Sequence, residues 1–492
     1  MSAELAILAS LALPLAGAVL IAFAGRIGAN VREAATMLIA GALALIVWSL
    51  VPAVAAGERP QVSVAEVLPG IELAFAVEPL GMLFAALASM LWIVNSLYSI
   101  GYMRGNEEAN QTRFYALFAV SLGATVGVAF AANLFTLFLF YEVLTLSTYP
   151  LVAHKGDRQS VASARVYLVV LLSTSIVLFL PAIIWTYLVA GSGDFTLGGV
   201  LAGKLEGAGV GVLLLLFVFG IGKAAVMPVH AWLPAAMVAP TPVSALLHAV
   251  AVVKAGVFAI TKVIIYIFGV EHLAGAFGAD LLVFIAAFTI IAASIVALRQ
   301  TNLKRLLAYS TVAQLSYVVM AIALLTPLAG IGAAVHIVAH AFGKITLFFA
   351  AGAIYTAAHK TEITELRGIG RRMPVTMMAF TIGALSMIGV PPTGGFVSKW
   401  YILAGAYQAD NMLALVTILA STVLNAAYLL PIIYLAWFAR EDEGDGTPPA
   451  RVHGEAPWPA VLALGLTAAL TVGFFVFHGA ALDIARQLLA GF

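Results

Sequence analysis

The sequence contains no cysteine and few charged residues. Because none of the 492 residues is cysteine, the chain cannot form disulfide bonds, thiolate zinc sites or cysteine-held iron–sulfur clusters. Only 10% of the residues are charged and the formal net charge is +1, so there is no basic field for nucleic acid. Hydrophobic residues make up 63% and the mean hydropathy is +1.07, whereas a soluble domain is about half apolar and about a quarter charged. This composition excludes a soluble, disordered or fibrous protein, and the electrons of any redox process must travel through other subunits.

Long apolar runs occupy most of the chain. A membrane-spanning helix needs about 20 mostly apolar residues, and about fourteen runs meet that requirement. Helices satisfy their own backbone groups in lipid, and no alternating barrel pattern is present, so the predicted fold is an all-α polytopic membrane protein. The predicted spans are residues 3–24, 34–56, 78–100, 113–132, 134–153, 164–190, 209–232, 241–267, 280–298, 305–326, 328–357, 374–408, 411–438 and 457–478.

Basic residues in the predicted loops indicate an orientation. Fifteen Lys and Arg residues lie in the odd-numbered loops, whereas the even-numbered loops hold only two, Arg59 and Lys204. Cytoplasmic loops carry the excess of basic residues, so both termini are predicted to lie on the non-cytoplasmic side. No cleavable signal is evident, because the first charge is Glu4 and Arg26 follows the first apolar run.

Two of the predicted spans are interrupted by glycine and proline. The seventh contains Gly220, Gly222 and Pro228, and the twelfth is broken near Pro391 and Pro392. Gly and Pro are common in membrane helices, but paired interruptions at corresponding positions indicate a transporter site. An offset of five spans predicts two inverted five-helix units, spans 4–8 and 9–13. The predicted segments are residues 1–108 (helices 1–3), 109–268 (first repeat), 269–440 (second, inverted repeat) and 441–492 (helix 14).

Several charged side chains fall within the apolar spans, among them one carboxylate and three lysines. Glu142 lies near the middle of the fifth span, Lys223 at the break of the seventh, Lys254 midway through the eighth and Lys399 just after the break of the twelfth. Each costs at least about 2.5–3.5 kcal/mol at the centre of a membrane helix. A purely structural pairing of Glu142 with a lysine is the alternative to a functional role.

Further titratable residues accompany these four. His336, His340 and Lys344 are spaced at i, i+4 and i+8 in the eleventh span, so they share one helix face. His248 shares a face with Lys254 only if the eighth helix is distorted. Lys262 lies close enough to the end of that helix to extend its ammonium to the membrane surface. A single membrane histidine can also be an ordinary hydrogen-bonding residue.

The pattern of buried charge favours proton movement. A buried lysine releases its proton more readily than an exposed one, and a nearby carboxylate opposes that release. Movement of Glu142 relative to Lys223 would therefore switch the lysine between holding and releasing a proton. Histidine is suited to the relay positions between lysines. Charged lysines are poor ligands for a cation, so the row does not indicate a sodium site.

The residues from about 110 to 435 resemble a known family. The motifs are the Glu142 helix, GIGKAAVMPVHAWLP, APTPVSALLHAVAVVKAG, LKRLLAYSTVAQLSY, HIVAHAFGKITLFF and GVPPTGGFVSKW. They are similar to those of the antiporter-like subunits shared by respiratory complex I and the Mrp multisubunit cation/proton antiporters. The resemblance implies fourteen helices, inverted repeats and a bacterial inner-membrane location. It also implies proton translocation through the glutamate–lysine pair, the central residues and the terminal lysine.

The resemblance leaves the parent complex open. The YEVLTLSTYPLVAHKG stretch is similar to the D-type subunits of Mrp antiporters, while an N-type complex I subunit, a membrane-bound hydrogenase and a carbon-uptake complex are the alternatives. The expected partners are other membrane subunits, the bilayer, protons and Na⁺. No cofactor, metal or nucleic acid is expected to bind this chain. A scaffold that merely inherited the fold would not require Glu142, Lys223 and Lys399.

Overall fold

The protein is almost entirely helical. The computed structural model describes residues 1–274, 277–440 and 454–488. Arg451, one of the fifteen basic loop residues, and the first part of the predicted C-terminal segment, residues 441–453, lie outside this part of the chain. Within it, twelve helices are long and apolar enough to cross a membrane. The predicted all-α polytopic fold is confirmed.

The first half of the chain contains seven intramembrane segments and a hairpin. The third helix begins after the hairpin, and the seventh segment is the short helix before a break. Their bounds are α1 Ala3–Ile27, α2 Ala29–Trp48, β1 Gln61–Leu68, β2 Ile71–Ala76, α3 Pro79–Gly105, α4 Gln111–Phe130, α5 Leu134–Val152, α6 Arg158–Ala190 and α7 Ala208–Gly220.

The described part of the second half contains seven further segments and a short terminal helix. The twelfth span consists of two helices separated by five residues. The bounds are α8 Thr241–Phe268, α9 Phe277–Leu298, α10 Leu303–Ala323, α11 Pro327–Ala358, α12a Pro374–Ile388, α12b Gly394–Gln408, α13 Met412–Trp437, α14 Trp458–Val476 and α15 Gly479–Arg486.

One hairpin departs from the predicted all-helical chain. Strands β1 and β2 pair antiparallel, with Gln61 opposite Ala76 and Leu68 opposite Ile71. The alternating apolar residues of this segment and the Pro-Gly turn at residues 69–70 are a hairpin signal in the sequence.

Three helices form the centre of the molecule. The apolar windows of α8 and α11 are wholly buried and that of α10 is 94% buried, whereas α1 and α2 are mostly exposed at the periphery. Helix α11 packs against α12b, α12a, α10 and the first turns of α8. Residues on α11 can therefore contact both α8 and the broken twelfth span.

Helix α8 passes very close to the break that follows α7. A Cβ at Gly256 would lie 2.2 Å from the backbone nitrogen of Ala224, so only glycine allows this approach. Helix α8 also departs from regular α geometry. Leu246–Val250 and Val263–Phe268 are π-helical, and Ala251 between them has φ −121° and ψ −70°. The distortion that would let His248 and Lys254 share a face is present.

Candidate functional site

Lys223 lies in a single 3₁₀ turn, Gly222–Ala224, directly after α7. Its side chain is completely buried. The ammonium donates to the backbone oxygen of Tyr141 at 2.8 Å and to Thr145 Oγ1 at 2.5 Å, and it lies 3.1 Å from the centre of the Tyr141 ring. The Tyr141 hydroxyl in turn accepts the backbone N–H of Lys223 at 3.0 Å. Helix α5 therefore holds both the backbone and the side chain of this lysine.

Glu142 occupies the same helix but does not hold the lysine. Both carboxylate oxygens are buried and have no hydrogen-bond partner among the described residues. The residue as a whole is half-buried and lies on the side of α5 that exposes Leu139 and Leu146. The predicted direct pair with Lys223 is not formed here, because Tyr141 and Thr145 take the ammonium instead.

Lys254 contacts the next helix directly. Its ammonium nitrogen lies 2.6 Å from His340 Nδ1 on α11, and both side chains are buried. His248, one to two turns earlier on α8, packs its ring 4.8 Å from that of Phe348, also on α11. Neither ring nitrogen of His248 has a partner within the described ranges. Helices α8 and α11 thus bring the central basic groups together.

The predicted stripe on α11 extends toward the twelfth span. The rings of His336 and His340 are 5.9 Å apart. His336 Nδ1 lies 2.8 Å from Ser398 Oγ on α12b, the residue before Lys399. Lys254, His340, His336 and Ser398 therefore form a buried polar sequence from α8 to the break in the twelfth span.

Lys344 is the last residue of the stripe, and its ammonium contacts helix α10. Its ammonium donates to Ser310 Oγ at 2.8 Å and, at 3.4 Å, to the backbone oxygen of Leu307. Lys223 is held in a similar way. Its ammonium also donates to a backbone carbonyl and to a hydroxyl that lies one turn later on the same neighbouring helix. A hydroxyl and a carbonyl can stabilise an ammonium without neutralising it.

Lys399 lies beside the broken ends of α12a and α12b. Its ammonium donates to the backbone oxygens of Met387 and Ile388 at 2.8 and 3.0 Å. These carbonyls end α12a, where no helical N–H group remains to pair with them and the helix dipole favours a cation. The Tyr317 ring lies 5.1 Å away. The Lys399 ammonium thus supplies both carbonyls with a donor.

These basic side chains, called the row below, are all buried inside the molecule. Lys223, Lys254, Lys344 and Lys399 are each at most 6% exposed, and the three histidines at most 1%. No ion pair neutralises any of these four lysines in the part of the chain that the structure describes. Such groups can accept, hold and release protons. Among the described residues, no three His, Asp or Glu side chains form a metal site.

The prediction for Lys262 is wrong. Its side chain is completely buried, and its ammonium lies 3.0 Å from Glu78 Oε2. It also donates to the backbone oxygen of Ala131 at 2.7 Å and lies 4.0 Å from the Phe195 ring. The lysine does not extend to the membrane surface, because Glu78, at the start of α3, provides a counter-ion inside the protein.

Several residues that contact the row had no signal in the sequence. They carry hydroxyl or amide groups on apolar helices, where such residues commonly bond only to their own backbone. Their significance comes from contacts between helices distant in sequence. These residues are Tyr141, Thr145, Ser310, Ser398, Asn425 and Tyr428.

The fold and the site define a class of protein. A polytopic membrane protein with two interrupted spans and buried ionisable side chains has the construction of ion-translocating membrane subunits. Residues 131–425 match the family model described as NADH:quinone oxidoreductase/Mrp antiporter, TM. The chain therefore belongs to the NADH:quinone oxidoreductase/Mrp antiporter transmembrane family, which confirms the resemblance.

Two relatives illustrate the breadth of this family. The chain is 34% identical over 395 residues to NADH-quinone oxidoreductase subunit N of Desulforudis audaxviator, covering 79% of this chain and 76% of the relative. It is 32% identical to the probable K(+)/H(+) antiporter A/B subunit of Rhizobium meliloti, covering 95% of this chain and 48% of that protein. The chain thus spans about half the length of the second relative.

Solved structures share the complete fold. A chain of the Mrp complex from Dietzia sp. DQ12-45-1b superposes with a TM-score of 0.86 at 21% identity, covering 100% of this chain and 97% of the other. A chain of the membrane-bound sulfane sulfur reductase, an archaeal respiratory membrane complex, gives 0.84 at 25% identity, covering 98% and 97%. These matches extend over the whole described arrangement of helices.

Proposed function

We propose that this chain is a proton-translocating membrane subunit of a multisubunit Na⁺/proton antiporter, similar to the D-type subunits of Mrp antiporters. The supporting observation is the buried row of basic groups that contact one another from Lys254 through His340 and His336 to the residue beside Lys399. Burial of so many ionisable groups costs several kcal/mol each. Proton movement along the row accounts for that cost, whereas a scaffold requires none of these groups.

The roles of the row follow its order. Glu142 and Lys223 are the entrance pair, Lys254 is the central carrier and Lys399 is the terminal one. His248, His336, His340 and Lys344 are the relay groups between them. The interrupted helices place Lys223 and Lys399 beside irregular backbone that lines polar protein interior rather than lipid.

The two broken regions support the inverted five-helix repeats. Lys223 lies over the ring of Tyr141 on α5, and Lys399 faces the ring of Tyr317 on α10. Helices α5 and α10 occupy the second position of units 109–268 and 269–440. A lysine at the fourth helix and a tyrosine at the second thus recur in both units.

Other membrane subunits are the proposed partners. Glu142 lies on a face of α5 that exposes Leu139 and Leu146, and a buried carboxylate without a partner is costly. A neighbouring subunit that packs on this face would cover Leu139 and Leu146. We further propose a bacterial inner-membrane location with both termini on the non-cytoplasmic side, supported by the basic residues of the odd loops.

A second candidate is a proton-pumping subunit of an NADH:quinone oxidoreductase. The match to an N-type subunit over 76% of its length supports it. Both candidate functions would move protons along the same row of basic groups. They differ in the source of energy for proton transport. The purified complex distinguishes them: Na⁺-driven proton uptake without NADH supports the antiporter, whereas uptake that requires NADH and quinone supports the oxidoreductase.

The proposed function is tested at Glu142. The Glu142→Gln variant of the complete complex, reconstituted in proteoliposomes, should assemble normally and lose most proton-coupled transport. Glu206→Gln is the matched control, since Glu206 is an exposed loop residue. Full transport by a normally assembled Glu142→Gln complex would show that this carboxylate is structural.

A further inference from the structure

Lys344 and Lys399 are joined by a second connection that does not use the histidines. Lys344 donates to Ser310 Oγ on α10 at 2.8 Å. The Ser310 hydroxyl lies 2.9 Å from the hydroxyl of Tyr428 on α13. The connection therefore leaves the α11 stripe at Lys344 and crosses two further helices.

The same connection continues to the break of the twelfth span. The Tyr428 hydroxyl donates in a short hydrogen bond to Asn425 Oδ1, one turn earlier on α13. Asn425 Nδ2 donates to the backbone oxygen of Met387 at 3.3 Å. This is the carbonyl that also accepts from Lys399, at 2.8 Å. One backbone oxygen thus joins the connection to the terminal lysine.

Burial separates this connection from bulk water. Ser310, Asn425 and Lys344 are 0% exposed, and Tyr428 is 4% exposed. The polar atoms of the connection therefore depend on one another for hydrogen bonds, and a lost partner leaves a buried group unsatisfied.

The direction of each hydrogen bond depends on the proton of Lys344. An ammonium group only donates, so Ser310 accepts from a charged Lys344. Tyr428 has a single hydroxyl proton, which it gives to Asn425, and Ser310 therefore directs its own proton to Tyr428. A neutral Lys344 can accept from Ser310 instead. Tyr428 would then donate to Ser310, and Asn425 would lose its donor.

We propose that Ser310, Tyr428 and Asn425 are positioning residues that transmit the protonation state of Lys344 to the carbonyl holding Lys399. This inference rests on the proposed function of both lysines as proton carriers. The Asn425 amide interrupts proton hopping, so the connection passes hydrogen-bond orientation and not the proton. The proton itself follows His340, His336 and Ser398. Loss of the proton at Lys344 would weaken the hydrogen bond from Asn425 to the Met387 carbonyl, and this carbonyl would then hold the Lys399 ammonium more tightly.

The Tyr428→Phe variant tests the proposal because it removes one hydroxyl and keeps the ring. In the complete complex, proton transport should fall roughly five- to tenfold, the factor given by one lost hydrogen bond of ordinary strength. The pH at half-maximal transport should also shift, which a merely structural residue would not cause. The groups facing Lys344 in that titration are Lys399, Lys254, His340, His336 and His248. Tyr434→Phe is the matched control, since Tyr434 lies on α13 but is 65% exposed; it should leave both rate and pH profile unchanged.

A double-mutant cycle decides whether Tyr428 acts through Lys344. In a Lys344→Met background, Tyr428→Phe should change the residual transport rate less than twofold. An equal factor in both backgrounds would overturn the inference, as would an unchanged pH profile in the single variant.

The thermal unfolding midpoint of the purified complex gives a readout independent of transport. The shifts caused by Lys344→Met and Tyr428→Phe should be non-additive because the two residues share one connection. If the wild-type complex moves no protons, the proposed function fails. Additive midpoints would overturn the connection itself, whatever the outcome for transport.

Discussion

The buried pair of Lys262 and Glu78 should be far more important for stability than an exposed ion pair. The Lys262 side chain is 0% and the Glu78 side chain 11% exposed, and the ammonium and carboxylate atoms are 3.0 Å apart. Removal of one partner leaves an uncompensated charge inside the protein, which costs about 3–5 kcal/mol. Glu78→Gln retains a carbonyl oxygen near the ammonium, so we expect a loss of about 3 kcal/mol in the free energy of unfolding.

The matched control is the pair of Arg486 and Asp483 on α15. Their side chains are 55% and 71% exposed at a distance of 2.9 Å. Water already solvates both charges, so Asp483→Asn should cost about 0–1 kcal/mol. Both variants are measured by denaturant titration of the purified protein in detergent micelles. Added salt should reduce the small effect at Asp483 and leave the effect at Glu78 almost unchanged.

The double variant Glu78→Gln/Lys262→Met tests the physical cause. Because no charge remains without a counter-ion, the double variant should recover most of the stability that either single change loses. Two results would refute the reasoning: a loss at Glu78 no larger than the loss at Asp483, or a double variant whose loss equals the sum of the single losses.

Four further predictions concern the row and one loop histidine. His340→Ala should slow proton transport in proteoliposomes and change its pH profile, since the imidazole contacts Lys254; an unchanged rate and profile would make the residue structural. Lys399→Arg should assemble normally but transport poorly, because a guanidinium does not release its proton in proteins; wild-type rates would make Lys399 a fixed charge. Thr145→Val should change transport by about fivefold, the effect of one hydrogen bond to Lys223, and an unchanged rate would show that Tyr141 alone holds the lysine. Burial and the nearby Arg113 lower the pKa of His154, in the loop after α5, to about 4 from its usual 6.5. Between these pH values the unfolded chain binds a proton that the folded chain does not, so the free energy of unfolding should fall as the pH drops from 6.5 to 4. The His154→Gln variant should show a smaller dependence of stability on pH in this range.

The positions of the spans follow from the sequence because lipid acts on each segment separately. A run of about 20 apolar residues must satisfy its backbone groups internally wherever it lies. Twelve of the predicted spans therefore coincide with long apolar helices in the described residues. The seventh and twelfth contain shorter helices, and their Gly- and Pro-rich stretches coincide with the two breaks, where α7 ends at Gly220 and α12a at Ile388. The hairpin at 61–76 does not follow from the length of apolar runs, because its signal is the alternation of apolar residues about a Pro-Gly turn.

The candidate site could be predicted only as a set of residue positions. An ionisable residue in an apolar run is visible without any knowledge of its neighbours, so Lys223, Lys254 and Lys399 were apparent from the sequence. Their roles in transport stay predictions. The order of His336, His340 and Lys344 along one face also followed from helical spacing, since α11 is one continuous helix.

Only the tertiary structure decided what each of these charges contacts. From the sequence, Lys223 could pair with Glu142 or remain apart from it. Because α5 packs against the break after α7, the Lys223 ammonium donates to Tyr141 and Thr145 instead. Lys262 could reach the surface or remain inside, and Glu78, 184 residues earlier in the numbering, keeps it inside. Spans follow from the local balance between apolar side chains and lipid, whereas contacts among buried polar groups depend on how distant helices pack.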